Sequence, residues 1–366
     1  MRPEAIDQVI PAIVEHDAVS NHTFEAQRLL RQLGFASEIF ARIIGPGCDG
    51  RVRPLAELPT GPSAGDRRWV LYQSSIGSPA ADAFAASPGR KLLDYHNITP
   101  AALVERWLPP LGDETRLGRR QLAELAPKVS FAFADSAYNA AELTEAGYAV
   151  ARVVPVLVEA GNLDLAPDAE VVERLQAARS RGGADWLFVG QLAPHKAQHD
   201  VIKAFAAYRR CFDPTARLHL VGREMGNAYR DALRRLVASL GLSAAVELPG
   251  SVSTAALAAY YATADVFVCC SSHEGFCVPV VEAMHRGIPV VAYAAAAVPE
   301  TVGDAGVLVA EKDPLTVAAT VAELLGDAHA RAALVRAGRE RAAGYSLERA
   351  RATFRTVITE AVDHSE

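Results

Sequence analysis

The fold of this chain is constrained most by a regular alternation of short apolar runs with longer segments of helical periodicity. In the first half, the apolar runs that are typical of buried strands lie at 8–14, 37–41, 69–73, 91–95, 130–134 and 152–156. Helical patterns separate them, for example 137–146. Strands connected through helices return in the same direction, so the alternation predicts a mostly parallel sheet covered by helices.

A second series of the same kind follows. Its predicted strands lie at 186–189, 217–221, 246–248, 266–270, 289–293 and 307–309. Between the two series, at 158–169, periodicity fades into a stretch with Gly, Asn, Asp and Pro, which we interpret as a hinge. The sequence therefore predicts an α/β protein of two doubly wound, Rossmann-like domains, 1–157 and 158–343.

Two helices of the first domain can be predicted in more detail. A helix over 23–33 would have Asn21 as N-cap and Gly34 as its stop signal. The final segment, about 344–366, carries an apolar helical stripe that includes Phe354 and Ile358 and needs an apolar surface to cover. We predict that it packs back on the first domain.

Composition excludes several classes of protein. The 366 residues are 50% hydrophobic and 22% charged, which indicates a globular chain with substantial cores. A net charge of −6 argues against nucleic acid as a partner, because binding to phosphate backbones needs clustered Lys and Arg. No apolar stretch approaches the roughly 20 residues that span a bilayer, and Met1–Asp7 lacks the features of a signal peptide. We expect a cytoplasmic protein without a transmembrane segment.

The cysteines indicate reduced thiols. They are odd in number, contain no C-x-x-C pair and mostly have apolar neighbours: Cys48, Cys211, Cys269, Cys270 and Cys277. Cys277 with His273 and His285 would be a conceivable metal site, but the spacing of zinc ligands is missing. We predict no metal site.

One apparent cofactor motif is a decoy. Residues 45–50 match G-x-G-x-x-G, but Pro46 lies inside the motif and Arg51–Pro54 follows where a helix is required. A nicotinamide-dependent oxidoreductase is therefore disfavoured. The absence of any Asp-x-Asp pair likewise gives no support to a diphosphate held by a metal ion.

The most informative segment follows the strand at 266–270. A loop leads into a helix with Pro279 in its first turn, so the amides of 276–278 lie at the positive end of a helix dipole and at the carboxyl edge of a parallel sheet. This arrangement predicts an anion pocket. Glu274 in the loop and Glu282 in the helix add two carboxylates, which suit hydroxyl groups. A ligand with both phosphate and sugar meets both requirements.

Two more loops leave the same sheet edge. After the strand at 186–189 come Gly190, Gln191 and then Lys196, whose ammonium group suits a phosphate. After the strand at 246–248 comes 250–252, whose backbone would face a flat base.

These motifs resemble the nucleotide-sugar-binding domain of the retaining glycosyltransferases with the GT-B fold, the large family 4. The resemblance covers about 185–327, and its strongest element is the E-x7-E motif from Glu274 to Glu282. It implies two Rossmann-like domains that face each other across a cleft, a metal-independent reaction and no cofactor.

The resemblance also implies roles for individual residues. Glu274 would contact the donor sugar, and Glu282 the ribose hydroxyls. Lys196 would bind the diphosphate. The remaining donor-binding positions implied are Gly190, Gly250, Ser251, Val252, Gly275, Phe276, Cys277 and Val278. Gln191 and Arg223 are added as donor-binding candidates.

The chain departs from the family pattern at two places. Gln191 stands where the family usually has Arg, which removes a positive charge from the diphosphate site, and Arg223 is a candidate substitute. In the first domain, Asp17–Asn21 replaces the usual glycine-rich loop after the first strand.

The first domain supplies the remaining candidates. His96, after the strand at 91–95, resembles the family histidine that faces the sugar, and we group it with Glu274 and Lys196 as catalytic. Candidate acceptor-binding residues are the polar residues of the same loops: Asp17, Ser20, Asn21, Asn97 and Ser136. The first three could equally be helix-capping groups.

The predicted function is transfer of a hexose from a nucleoside diphosphate sugar, of UDP or GDP type, to an acceptor hydroxyl with retained anomeric configuration. The alternatives are a catalytically silent subunit that binds nucleotide sugars, and a sugar phosphorylase or epimerase of the same architecture. The sequence does not specify the donor base, the hexose, the acceptor or the oligomeric state.

Overall fold

The computed structural model describes residues 2–15, 17–60, 67–149, 151–158 and 165–363, which form two units. The first unit is Met1–Glu105, Pro109–Val158 and Leu347–Glu366; the second is Arg106–Leu108 and Glu159–Ser346. Much of the predicted hinge, 159–164, lies outside the described residues. The roles predicted for the two domains, acceptor binding and donor binding, stay predictions.

The first unit is built on a seven-stranded parallel sheet of order β3-β2-β1-β4-β5-β6-β7. Its strands are β1 (Ala5–Ile13), β2 (Ile39–Ile44), β3 (Arg53–Pro54), β4 (Arg68–Ser74), β5 (Lys91–Tyr95), β6 (Phe131–Ala134) and β7 (Ala151–Val153). Its helices are α1 (Ala18–Gln32), α2 (Pro79–Ala86), α3 (Pro109–Leu125), α4 (Ala137–Glu145) and, far along the chain, α13 (Leu347–Asp363). The strand order reverses between β1 and β4.

The second unit repeats this plan with a six-stranded parallel sheet of order β10-β9-β8-β11-β12-β13. Its strands are β8 (Asp185–Val189), β9 (Arg217–Val221), β10 (Val246–Gly250), β11 (Val266–Cys269), β12 (Val290–Tyr293) and β13 (Val307–Val309). Its helices are α5 (Ala169–Arg179), α6 (Gln198–Cys211), α7 (Asn227–Ser239), α8 (Thr254–Thr263), α9 (Val278–His285), α10 (Val298–Val302), α11 (Pro314–Gly326) and α12 (Ala328–Gly344). The predicted class, two doubly wound α/β sheets, is confirmed, and the strand order reverses here between β8 and β11.

The predicted start of α1 is wrong. The helix begins at Ala18, and its N-cap is Asp17, whose Oδ2 accepts the Ser20 amide at 3.0 Å. Asn21 therefore lies inside the helix. Hydrophobic periodicity does not predict the first turn of α1, because the buried residues there are polar and form no apolar stripe. Ser20 and His22 are among them. Strand bounds also differ from expectation: β1 begins at Ala5, β2 extends to Ile44 and β7 ends at Val153.

Helix α13 completes the core of the first unit. Its buried residues Phe354 and Ile358 belong to one cluster with Trp69 and Phe133. The Phe354 ring lies edge-on to that of Phe133, with 6.0 Å between centroids. No helix in the described ranges has the length and the apolar composition needed to cross a bilayer.

We expect Phe354→Ala to lower the free energy of unfolding of the first unit by about 3–5 kcal/mol, because it leaves a cavity in a fully buried cluster. Urea unfolding measures the change, followed by fluorescence in a Trp107→Phe, Trp186→Phe background that leaves Trp69, in the same cluster, as the remaining tryptophan. Thr356→Ala, on the exposed face of α13, is the control and should change this free energy by less than about 0.5 kcal/mol. A loss below about 1 kcal/mol for Phe354→Ala would show that α13 is not an integral part of this core.

Candidate functional site

The switch point of the second sheet brings two loops together. The loop after β8 and the loop after β11 leave neighbouring strands at the same carboxyl edge, and the Ser272 amide donates to the His195 carbonyl at 2.7 Å. In this way Lys196 reaches Glu274, with Nζ 2.5 Å from Oε2. Crevices at such switch points are where doubly wound sheets bind ligands.

The Lys196–Glu274 ion pair is largely shielded from water. Only 6% of the Glu274 side chain and 21% of the Lys196 side chain are exposed. Burial is the largest single influence and would lower the pKa of Lys196. The charge of Glu274, its hydrogen bond and the nearby Cys277 and Cys269 together outweigh burial and raise that pKa. The ammonium group is therefore held as a cation, and it has further N–H donors for a second anionic partner.

The start of α9 presents the predicted anion pocket. Pro279 lies in its first turn, and among the described residues the amides of 276–278 donate to no backbone carbonyl. These amides lie at the positive end of the helix dipole. Cys277, the N-cap, has φ +74°, a left-handed conformation that costs a residue with a side chain roughly 1–2 kcal/mol.

Glu282 is not a solvated helix residue. It is partly buried, and Oε2 accepts a hydrogen bond from the Tyr261 hydroxyl at 2.7 Å. Burial raises the pKa of the Glu282 carboxyl, and the bond from Tyr261 opposes that rise. One buried tyrosine thus fixes the orientation of the second carboxylate of the motif.

Three glycines bring strand ends into close backbone contact. Gly190 donates its amide to the Val221 carbonyl at 2.9 Å, and Gly222 donates to the Gly250 carbonyl at 3.0 Å. All three glycines have positive φ, and a Cβ on Gly222 would lie 2.0 Å from the Gly190 oxygen. Gly222 is a further candidate site residue that the motifs in the sequence do not include, although a glycine directly after a buried strand is a usable signal. Ser251, exposed, and Val252, half-buried, follow Gly250 at this edge.

Gln191 and Arg223 lie on adjoining backbone segments. The carbonyl of Gln191 accepts from the Gln198 side chain at 2.8 Å, and the next residue, Leu192, donates its amide to the Arg223 carbonyl at 2.8 Å. Arg223 is exposed. The structure thus brings the candidate substitute next to the position that lacks the arginine of the family.

A pair of buried thiols also lies at this edge. Cys269 ends β11, and its thiol lies 3.3 Å from the Ser271 hydroxyl. A hydrogen bond between the two thiols lowers the pKa of Cys269 and raises the pKa of Cys277. His273 and His285 are the potential metal ligands nearest to Cys277 along the sequence, whereas the structure groups Cys277 with Cys269 and Glu274. The spacing along the chain gives no signal for this cluster, which arises only when β11 and α9 pack together.

In the first unit, His96 is enclosed by protein. Its Nδ1 lies 3.0 Å from both carboxylate oxygens of Asp135, and its Nε2 lies 2.6 Å from Oε1 of Gln73. The Gln73 amide group donates to Gln8, so its Oε1 can only accept, and His96 must donate from both nitrogens. Burial alone would lower the pKa of His96, but the charges of Asp135 and Asp94 raise it to about 9. His96 is a buried imidazolium, and its contact with a sugar stays a prediction.

Two further residues belong to this network and were missed. His22 Nδ1 accepts the Leu157 amide at 3.0 Å, and His22 Nε2 lies 2.8 Å from Asp94 Oδ2. Both side chains are fully buried. A histidine inside a helix and an aspartate inside a strand carry no local signal of such a contact.

The candidate acceptor-binding residues line the carboxyl edge of the first sheet, where several of them fix the loops. Asp17 caps α1 and Ser136 caps α4, where its hydroxyl accepts the Asn139 amide. The Ser20 hydroxyl accepts the Val14 amide at 3.0 Å. Asn97, with φ +78°, donates to the Asn139 side chain at 2.8 Å, and Asn21 is exposed. Their predicted role in acceptor binding is not tested by this arrangement.

Residues 174–341 match the model of the family described as glycosyl transferases group 1. Among curated relatives, the D-inositol 3-phosphate glycosyltransferase of Thermobispora bispora is 32% identical over 256 residues, which cover 68% of this chain and 59% of the relative. That of Frankia alni is 36% identical over 193 residues, covering 50% and 46%. A GDP-mannose-dependent alpha-(1-6)-phosphatidylinositol monomannoside mannosyltransferase of Mycobacterium tuberculosis is 35% identical over 161 residues, covering 42% and 41%. The chain spans about half the length of these relatives.

Solved structures share the fold across nearly the whole chain. Anabaena HepE in complex with UDP and glucose has a TM-score of 0.73 at 17% identity and covers 98% of this chain and 100% of its own. A sucrose-phosphate synthase from Thermosynechococcus elongatus has a TM-score of 0.74 at 17% identity, covering 98% and 99%. The predicted GT-B fold is confirmed.

The buried imidazolium gives the first unit a stability that depends on pH. The folded pKa of about 9 lies above the usual value of about 6.5, so this stability is fully present below pH 6.5 and is lost as pH rises through 9. We expect the free energy of unfolding to fall by about 3 kcal/mol over this range, measured by urea unfolding at several pH values.

His96→Gln should flatten this dependence, whereas His329→Gln, at an exposed position, should keep it. A wild-type chain whose stability is flat or rises between pH 6.5 and 9 would contradict a protonated His96.

Proposed function

Because the chain belongs to the glycosyl transferases group 1 family, we propose that it transfers a hexose from a nucleoside diphosphate sugar to an acceptor hydroxyl with retained anomeric configuration. The observation that carries this proposal is the juxtaposition of Lys196 and Glu274 beside the first turn of α9, at the switch point of the second sheet. A cation and helix amides suit a diphosphate, and a carboxylate suits sugar hydroxyls.

In the proposed reaction the bond between the anomeric carbon and the diphosphate oxygen breaks, and a bond to the acceptor oxygen forms on the same face of the sugar. Negative charge grows on the departing diphosphate, where Lys196 and the amides of 276–278 stabilise it. The departing phosphate oxygen takes the proton of the acceptor hydroxyl. Glu274 orients the sugar through its hydroxyls and forms no covalent bond to it.

The Lys196–Glu274 pair has a specific part in this scheme. Before the donor binds, each charge is neutralised by the other, so neither is buried without a partner. When a diphosphate and a sugar arrive, Lys196 can donate to phosphate oxygens while Glu274 accepts from sugar hydroxyls. The pair thereby serves as a preformed recognition unit for a ligand that combines the two groups.

The donor and acceptor belong to the proposal as well. A relative is named as GDP-mannose-dependent and a structural neighbour was solved with UDP and glucose, so we propose a UDP- or GDP-linked hexose. Other relatives are named for D-inositol 3-phosphate, which makes phosphorylated polyols the first acceptors to examine. Independence from metal ions, the absence of a cofactor and a cytoplasmic location are further parts of the proposal and rest on the sequence.

A screen of UDP-, GDP- and dTDP-sugars for thermal stabilisation, followed by measurement of donor hydrolysis with and without a chelator, tests the proposal. Turnover that persists with the chelator supports it. Tight donor binding without turnover, in the presence of several acceptors, would instead identify a silent subunit.

We expect Glu274→Gln to lower donor turnover by at least about 100-fold, because the substitution removes the charge that accepts hydroxyl donors and leaves Lys196 without its partner. Steady-state nucleotide release measures the change. Glu311→Gln, at an exposed position of the same unit, should leave turnover within about twofold. Equal turnover of the Glu274→Gln and Glu311→Gln variants would show that Glu274 does not contribute to the reaction.

Arg223→Ala should lower turnover about tenfold or more if Arg223 supplies the positive charge missing at Gln191, because a charge-assisted hydrogen bond contributes about 1.5–3 kcal/mol. Nucleotide release again provides the measurement, with Arg235→Ala, exposed on α7, as the control.

Adding Gln191→Arg to the Arg223→Ala variant should restore most of the lost turnover, since it places a guanidinium on the adjoining loop. If Arg223→Ala lowers turnover no more than Arg235→Ala does, or if the double variant recovers no turnover, Arg223 does not replace the arginine that is missing at position 191.

A further inference from the structure

We propose that Cys269, Glu274 and Cys277 form a binding site for a thiophilic divalent cation, with zinc as the representative ion. The two sulfur atoms and a carboxylate oxygen lie within 4.8 Å of one another, and all three residues are buried. Thiolate and carboxylate are both established zinc ligands. Three protein ligands leave one position of a tetrahedral ion open.

The cluster is close to the dimensions of a zinc site. With Zn–S distances of about 2.3 Å, tetrahedral geometry separates two thiolate sulfurs by about 3.8 Å. The atoms of the cluster are at most about one ångström farther apart than that. Rotation of the cysteine side chains can cover such a difference without moving β11 or α9.

The charges of the surroundings suit a bound cation. The Lys196–Glu274 ion pair beside the two cysteines is neutral by itself. When Zn²⁺ is bound, the charges of the ion, two thiolates, one carboxylate and Lys196 sum to zero. The occupied site is therefore uncharged overall, which avoids the cost of burying net charge.

Neighbouring groups hold the three ligands in place. The Ser271 hydroxyl contacts Cys269 at 3.3 Å, and the Ala297 amide donates to the Glu274 carbonyl at 3.2 Å. Cys277 keeps a side chain at a φ of +74°, where glycine would be free of strain. Outer contacts of this kind orient metal ligands.

A bound ion would compete with the donor sugar for Glu274, a consequence that rests on the proposed function. Glu274 cannot accept sugar hydroxyls fully while one of its oxygens is a metal ligand, and its contact with Lys196 would weaken. We therefore expect zinc to inhibit donor turnover reversibly, while the metal-free chain is the active form.

The experiment is a titration of the full, reduced chain with Zn²⁺ by calorimetry, and with Cd²⁺ by ultraviolet absorption, where metal-bound thiolates give a charge-transfer band. We expect one ion per chain together with this band in the wild type and in two control variants, Cys270→Ser and Cys211→Ser. Cys270 is the buried neighbour of Cys269, and Cys211 is exposed. Cys269→Ser should lower the band per bound ion to about half and weaken binding at least 100-fold, and Glu274→Gln should keep the full band but bind more weakly.

No thiolate band in the wild type, or an equal band in Cys269→Ser, would overturn the site. Donor hydrolysis in the presence of zinc is measured separately. Zinc binding without inhibition of donor turnover would support the metal site and contradict only the expectation that zinc competes with the donor. Binding in a chain that shows no turnover with any nucleotide sugar would support the metal site while the proposed function fails.

Discussion

A salt bridge between Lys196 and Glu274 joins the two loops on which the candidate site depends. It exists because β8 and β11 are parallel neighbours, whose following loops must leave from the same sheet edge. Far apart in sequence, the two residues reach each other without any long insertion. The pair is largely buried, so removal of either partner would leave the other charge buried without a counter-charge, which is unfavourable. The ion pair therefore holds the two loops in one arrangement.

In the first unit, too, loops from neighbouring parallel strands leave the same sheet edge, but their polar residues are used differently. Its sheet also reverses strand order, between β1 and β4, and its carboxyl edge also gathers polar residues. Here, however, His96 has protein partners at both ring nitrogens, and Asp17 and Ser136 are used to cap helices. The polar groups of this edge therefore build the loops. Those of the second unit lie around the amides of 276–278, which donate to no backbone carbonyl within the part of the chain that the structure describes.

The sequence was sufficient for the fold class, because hydrophobic periodicity and turn residues are local signals. It also identified Glu274 and Lys196 as candidates, since motif and strand-loop-helix context coincide there. It could not show that the two form an ion pair, nor that His96 is fixed as a cation by Gln73 and Asp135, because these contacts join distant strands. The position of Cys269 beside Cys277 was invisible for the same reason. Asn21 was mistaken for a cap because the first turn of α1 buries polar groups.

The placement of α13 affects how the protein is made. During synthesis the strands of the first unit emerge early, but the helix that contributes Phe354 to their core emerges only after the whole second unit. Until then the nascent first unit exposes an apolar surface, and such surfaces bind chaperones or associate with one another. All residues of the second unit are therefore synthesised before the last element of the first unit, so the unit that begins first along the chain is completed last.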